Sequence, residues 1–286
     1  MKCRLKRREA LADGFRRIIR REIDGVRSQL ARYRSDGEGE AIHEARKLVK
    51  QIRAALRLIR SRLGSRLYAR ENRRFREAGL RLSNLRDAQV LGLALDALRK
   101  EARGRLLEAA ILQLEQSLAG RRQQAAGEGF NAATLEASLK AARRLEPWPL
   151  EKLVWRDVRR GLRQTYRQGR KAFARVRAHP TDAALHEWRK RVKNLFYQLT
   201  LLDRLTSKTG RRLARTLQDL GEELGDDHDL AMLSNQARNA RLTGAGKERL
   251  MEFIAARRGR LQRAALKLGG DCYRWGERGF ARRAGL

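Results

Sequence analysis

Residues 41–50 read AIHEARKLVK, and residues 184–193 read ALHEWRKRVK. The stretches lie 143 positions apart, half of a 286-residue chain, and seven of the ten positions are identical. The match extends outward. At the same offset Arg16 pairs with Arg159, Arg17 with Arg160, Arg20 with Arg163 and Arg27 with Arg170. Downstream the offset becomes 142, as one lost loop residue would produce. Arg66 then pairs with Lys208, Arg70 with Arg212, Arg73 with Arg215 and Gly79 with Gly221. A second marker follows, LSNLRDAQVL at 82–91 against LGDDHDLAML at 224–233. Residues 1–143 hold 34 basic and 17 acidic side chains, and residues 144–286 hold 33 and 16, so each half carries +17. Matched Arg positions and balanced charge read as an internal duplication, with the charge inside the repeated unit.

The composition is helical nearly throughout. Prolines occur only at 147, 149 and 180, while Ala, Leu, Arg and Glu dominate. Pro147-Trp148-Pro149 interrupts the pattern near the middle and divides a first repeat (1–145) from a second (150–286), together one domain. Four helical stretches are predicted in the first half, near 5–33, 39–61, 66–83 and 86–125, with a further segment before the linker. The second half gives stretches near 151–177, 182–205, 208–224 and 228–267. Gly64, Gly79, Gly221 and Gly225 fall near their ends or at close contacts. The expected architecture is all-α, a pair of four-helix units.

Charge is the abnormal feature. Lys and Arg total 67 against 33 acids, a net +34 that repels itself in the compact state. A bias toward Arg over Lys (54 against 13) does not account for the shortage of acids. A polyanionic partner accounts for both. Cys3 and Cys272 form neither a disulfide framework nor a metal-ligand spacing. The start, MKCRLKRREALADGFRR, lacks an apolar region behind its basic residues, so no signal peptide is expected. No stretch reaches 18 apolar residues, so no membrane span is expected. A reducing cytoplasm is the predicted location.

At about 100° per residue the first motif helix sorts into two faces. Ile42, Ala45, Leu48, Val49, Ile52, Leu56 and Ile59 gather toward a core, while His43, Arg46, Lys47, Lys50, Arg53 and Arg57 share the opposite side. In the second copy Trp188, Val192, Leu195, Leu199 and Leu202 form the core face, and His186, Arg189, Lys190, Lys193 and Tyr197 the other. Like charges one turn apart oppose helix formation by a few tenths of a kcal/mol per pair. Phosphate oxygens would offset that cost, since Arg offers a planar fork and Lys a compact charge. The two histidines read as hydrogen-bond donors to phosphate or as structural residues. The matched cations Arg16, Arg20, Arg159, Arg163, Arg66, Arg70, Arg73, Lys208, Arg212 and Arg215 are candidates for the same ligand.

These residues resemble the CHAD family, the conserved histidine α-helical domain. The likeness rests on His43 through Arg46, Lys47 and Lys50, repeated from His186 through Lys193, and on Arg86-Asp87, whose counterpart is His228-Asp229. The resemblance implies two helical bundles related by a pseudo-twofold, with basic helix faces lining a central groove or cavity. It also implies inorganic polyphosphate as ligand and association with polyphosphate granules. The Glu-x-Glu-x-Lys signature of the CYTH triphosphatase-type domain often fused to CHAD is absent, so the chain looks like a stand-alone CHAD protein. His228 departs from the family's usual residue at its position.

Enzyme readings fare poorly. His43-Glu44 and His186-Glu187 suggest a zinc protease helix, but Lys47 and Lys190 stand where a second His is required. Gly244-Ala245-Gly246-Lys247 suggests a phosphate loop, but Arg241 replaces the earlier Gly and Glu248 follows the Lys. His228-Asp229, amid Glu222, Glu223, Asp226 and Asp227, lacks the outlying ligands of a metal dyad. Asp87 and Asp229 read as residues that orient neighbouring cations or cap a following helix. No enzyme activity, metal or cofactor is therefore expected. The alternative to polyphosphate is sequence-independent DNA or RNA backbone binding, with a small phosphorylated metabolite or a metal-dependent phosphohydrolase behind it. Against nucleic acid stand few exposed aromatics for stacking, no known reading motif, and stripes without Asn or Gln.

Overall fold

The computed structural model describes residues 4–36, 39–125, 132–145, 148–240, 242 and 244–285, with no strand among them. In the first half α1 (Leu11–Asp36), α2 (Gly39–Leu58) and α3 (Arg60–Glu101) follow one another, then α4 (Arg105–Ala125) and α5 (Ala132–Ala142). In the second half α6 (Trp155–Ala178), α7 (Asp182–Leu201) and α8 (Lys208–Asn239) follow one another, then α9 (Gly244–Tyr273) and α10 (Glu277–Arg283). Each motif helix, α2 or α7, packs between its two neighbours, and the motif helices also pack against each other.

Two long helices replace breaks expected from the sequence. α3 and α8 run through 84–85 and 225–227 without interruption and end instead at Glu101 and Asn239. The reason lies in backbone conformation. Gly104 and Gly244 adopt positive φ (102° and 32°), which a side chain disfavours, whereas Gly221 and Gly225 remain helical. Gly64 (φ 74°) bends the start of α3. Caps mark other starts: the Thr181 hydroxyl accepts from Ala184 N at 3.2 Å, and the Ser207 hydroxyl from Gly210 N at 3.1 Å.

The apolar cores cut across the two halves. One core joins Phe15, Ile19 and Ile52 of the first half to Leu162, Trp188, Val192 and Leu220 of the second. A smaller one lies at the far ends of the long helices, where Leu98 and Ile111 meet Leu233, Leu250 and Ile254. Trp148 of the linker is buried in the larger core, so this segment is anchored, while Pro147 lies outside the described residues. Two contacts lock α2 to the second half. The buried Gln198 amide donates to the Ala54 carbonyl at 3.1 Å. Gly161 lets α6 ride on α2 so closely that a Cβ there would stand 2.3 Å from the Leu58 carbonyl oxygen.

Candidate anion-binding cleft

With Ile42, Ala45, Val49 and Ile52 committed to the core, the opposite side of α2 faces a cleft of about 470 Å³. His43, Arg46, Lys47 and Lys50 line it from α2, and Arg189, Lys193 and Tyr197 from α7. α8 closes the cleft with Glu222, His228 and Asp229, and α1 adds the buried Glu22. Two glycines of α8 make room for the cations. A Cβ at Gly221 would stand 2.9 Å from the Lys193 ammonium, and one at Gly225 3.4 Å from the Arg189 guanidinium.

Among the described residues the lining brings five Lys and Arg side chains against three carboxylates. Lys50 reaches the water of the cleft but is walled by protein. Burial, with Arg46, Arg189 and Lys193 adding repulsion, holds its ammonium down at about 7, against the attraction of Asp229. Lys193 is lowered by burial and then by Arg189, with Glu222 and Asp226 opposing. Burial drives His228 down to about 4, helped by Arg189 and His186, so its ring is neutral near neutral pH. The Tyr197 phenol is raised by burial to about 12 and remains an O–H donor. The cleft thus holds mutually repelling cations and neutral donors in a partly desolvated space. A polyvalent oxyanion would relieve that repulsion through charge-assisted hydrogen bonds.

The remaining candidates scatter. His186 lies behind the cleft, its ring 4.4 Å from the His228 ring, and burial, then Lys190 and Arg189, lower its pKa. The buried Nδ1 atoms of His43 and His186 have no hydrogen-bond partner among the described residues. Lys190 is exposed and pairs with Glu187 at 3.6 Å. Arg53 donates to Asn72 at 3.2 Å, Arg57 to the Arg53 carbonyl at 2.9 Å, and burial pulls both guanidiniums down, Arg53 to about 10. Arg16 pairs with Glu151, and Arg20 lies beside it in a shallow depression on α1. Arg159 is exposed on α6, where Arg163 is half-buried; Arg66, Arg70 and Arg73 are exposed on α3. Lys208 and Arg212 are exposed on α8, but Arg215 lines a depression that shares Phe196, Thr200 and Gln218 with the cleft.

Asp229 sits inside the continuous α8, so it caps no helix; it faces the cleft and attracts Lys50. The side chains of Arg86 and Asp87 lie outside the described residues. Asp227 is buried and accepts from Arg258 at 2.9 Å and Gln262 at 2.8 Å, which ties α8 to α9. Ligand atoms of Glu40, His43 and Glu44 approach within 4.8 Å of one another. Both Glu44 oxygens, however, accept from Lys47, at 2.9 and 3.1 Å. Sequence reasoning missed Glu22 and Gln51. The signal was there, since Glu22 interrupts the apolar stripe of Ile18, Ile19, Ile23 and Val26. With its amide nitrogen turned inward, Gln51 donates to both Glu22 oxygens at 3.0 Å.

Compared with known proteins, the chain matches a family model described as CHAD domain over residues 17–238, from α1 to the end of α8. Among solved structures it is similar to the CHAD domain from the plant Ricinus communis. That likeness has a TM-score of 0.68 at 21% identity and covers 96% of this chain and 95% of the other. No match was found among curated proteins.

Proposed function

Because the chain belongs to the CHAD domain family, we propose that it binds inorganic polyphosphate in the α2–α7 cleft without chemical turnover. One observation carries the reading: Arg46, Lys47 and Lys50 from the first half line the same cavity as Arg189 and Lys193 from the second. An anion with many closely spaced charges can engage both walls at once, and a flexible chain can enter a space of about 470 Å³ that a stiff duplex cannot. A cytoplasmic location at polyphosphate granules belongs to the same reading. No helix among the described residues is long and apolar enough to cross a membrane.

Titration with polyphosphate of defined length at several salt concentrations tests this. Log affinity should fall roughly linearly with log salt, as counterion release requires. Orthophosphate should not be released, with or without magnesium or manganese. A salt-insensitive affinity would contradict the binding mode, and metal-dependent release abolished by Asp229→Ala would contradict the absence of turnover.

A further inference from the structure

Most of the +34 charge lies outside the cleft, and its densest array is on α6. At about 100° per residue, Arg156, Arg159, Arg160 and Arg163 fall within an arc about 120° wide. Arg167, Arg170, Lys171 and Arg177 continue the same arc to the end of the helix. The other positions in the arc are Ala174 and Ala178, and no acid interrupts it. All eight cations are exposed except Arg163, which is half-buried. Among the described residues the one acid paired with this array is Glu277, 3.8 Å from Arg167. The arc cannot turn inward. Val158, Leu162, Tyr166, Phe173 and Val176 are buried on the other side, and a Cβ at Gly169 would stand 2.5 Å from the Tyr273 hydroxyl. No α6 residue lines the cleft.

The matched helix α1 shows what this face lacks. Asp13 and Asp24 stand where α6 has Arg156 and Arg167. Its arginines find acids from other elements: Arg17 meets Glu9 at 2.6 Å, Arg16 meets Glu151, and Arg34 meets Glu136 at 3.2 Å. The Arg pattern is common to both helices, but acids gather around α1, whereas Glu277 alone among the described residues meets the α6 array.

We propose that the outer face of α6 is a second polyanion surface, separate from the cleft, that docks on the sugar-phosphate backbone of duplex nucleic acid. From Arg156 to Arg177 the helix rises about 32 Å, close to one duplex turn of about 34 Å. The face is straight, rigid and open, which suits a stiff rod rather than an enclosed chain. Within the arc there is no Asn or Gln, and its cations meet the phosphates that every duplex presents whatever its sequence. Its apolar side is consumed by the core, which leaves nothing to insert into a lipid surface.

The test is fluorescence anisotropy with a labelled duplex of about 20 base pairs, beside calorimetry with tripolyphosphate. Converting the exposed Arg156, Arg160, Arg167 and Arg170 to Gln should lower duplex affinity more than tenfold and reduce the slope of log affinity against log salt by about 3–4 units. Tripolyphosphate binding should stay within about twofold of wild type, so the cleft is tested separately. A four-Arg Gln variant of α1, at Arg16, Arg17, Arg27 and Arg34, should cost the duplex less than about threefold. An all-Lys version of the α6 variant should retain binding, because backbone contacts need charge more than the guanidinium fork. In the wild type, duplex should shield Arg160 and Arg167 from an arginine-directed reagent, a reading that needs no folded variant. Three results would overturn the proposal: unchanged duplex binding by the α6 Gln variant, equal loss on replacing Lys50 and Arg189, or loss of long polyphosphate but not duplex.

Discussion

α2 and α7 carry seven identical residues in ten, yet they meet different surroundings. In α2 the motif His and all three following cations face the cleft; in α7 only Arg189 and Lys193 do, joined by Tyr197. His186 is turned onto His228, and Lys190 points outward to Glu187. Helices that share a motif therefore do not build identical walls. What differs is the helix that follows each in sequence. α8 brings Gly221 and Gly225 under the tails of Lys193 and Arg189 and sets His228 against His186. A repeated motif specifies which faces are basic; the packing partner decides which of those cations reach a common ligand.

The largest effects come from removing a whole wall. Replacing Arg46 and Lys50 by Gln, or Arg189 and Lys193 by Gln, should each weaken polyphosphate binding more than about 100-fold, since charge-assisted contacts contribute about 1.5–3 kcal/mol each. Calorimetry checks this, and a strong effect from one pair alone would break the two-wall picture. Single changes sharpen the asymmetry. Lys47→Gln, inside the cleft, should cost about fivefold, and Lys190→Gln, outside it, less than about twofold. Equal losses would mean that the motif acts by sequence position rather than by the wall it faces.

A pH series probes the shared repulsion. Lys50 sits at about 7 in the free protein, and a bound anion favours its charged form, so the bound value is higher. Affinity should be fully developed below pH 7 and fall as pH rises through that region, and Lys50→Arg should flatten the profile. His228, held near 4, should add little between pH 7 and 5. The smallest expected effect compares two matched glycines. Gly221→Ala pushes on the flexible Lys193 tail and should weaken binding a few-fold with the fold intact. Gly79→Ala meets only Val49, at an ordinary 3.5 Å, and should leave binding unchanged.

Much of this was legible from the sequence because helix periodicity and burial follow from residue spacing. The core face of α2 and six of the cleft side chains named from the motif stand where the 100° rule puts them, with Tyr197 beside them. Arg53 and Arg57 were placed on the right side of the helix but beyond the reach of the cleft, because their helix continues toward Asn72 of α3. The continuous α3 and α8 were not legible, since a glycine in a helix-contact position looks like one at a helix end. The acids of the cleft were legible only in part: Glu22 shows as a break in an apolar stripe and Asp229 as a residue that orients cations, but their meeting with Glu222 in one cleft depends on helices remote in sequence.

The central claim is that both motif helices serve one site. Calorimetric titration of the wild type, the Arg46/Lys50 variant, the Arg189/Lys193 variant and their combination with a short polyphosphate tests it directly. The expected result is one site in the wild type, severe weakening in either variant, and a combined loss smaller than the sum of the two, because either wall alone already fails. Two sites in the wild type, with each variant halving the stoichiometry and leaving the remaining affinity intact, would contradict it.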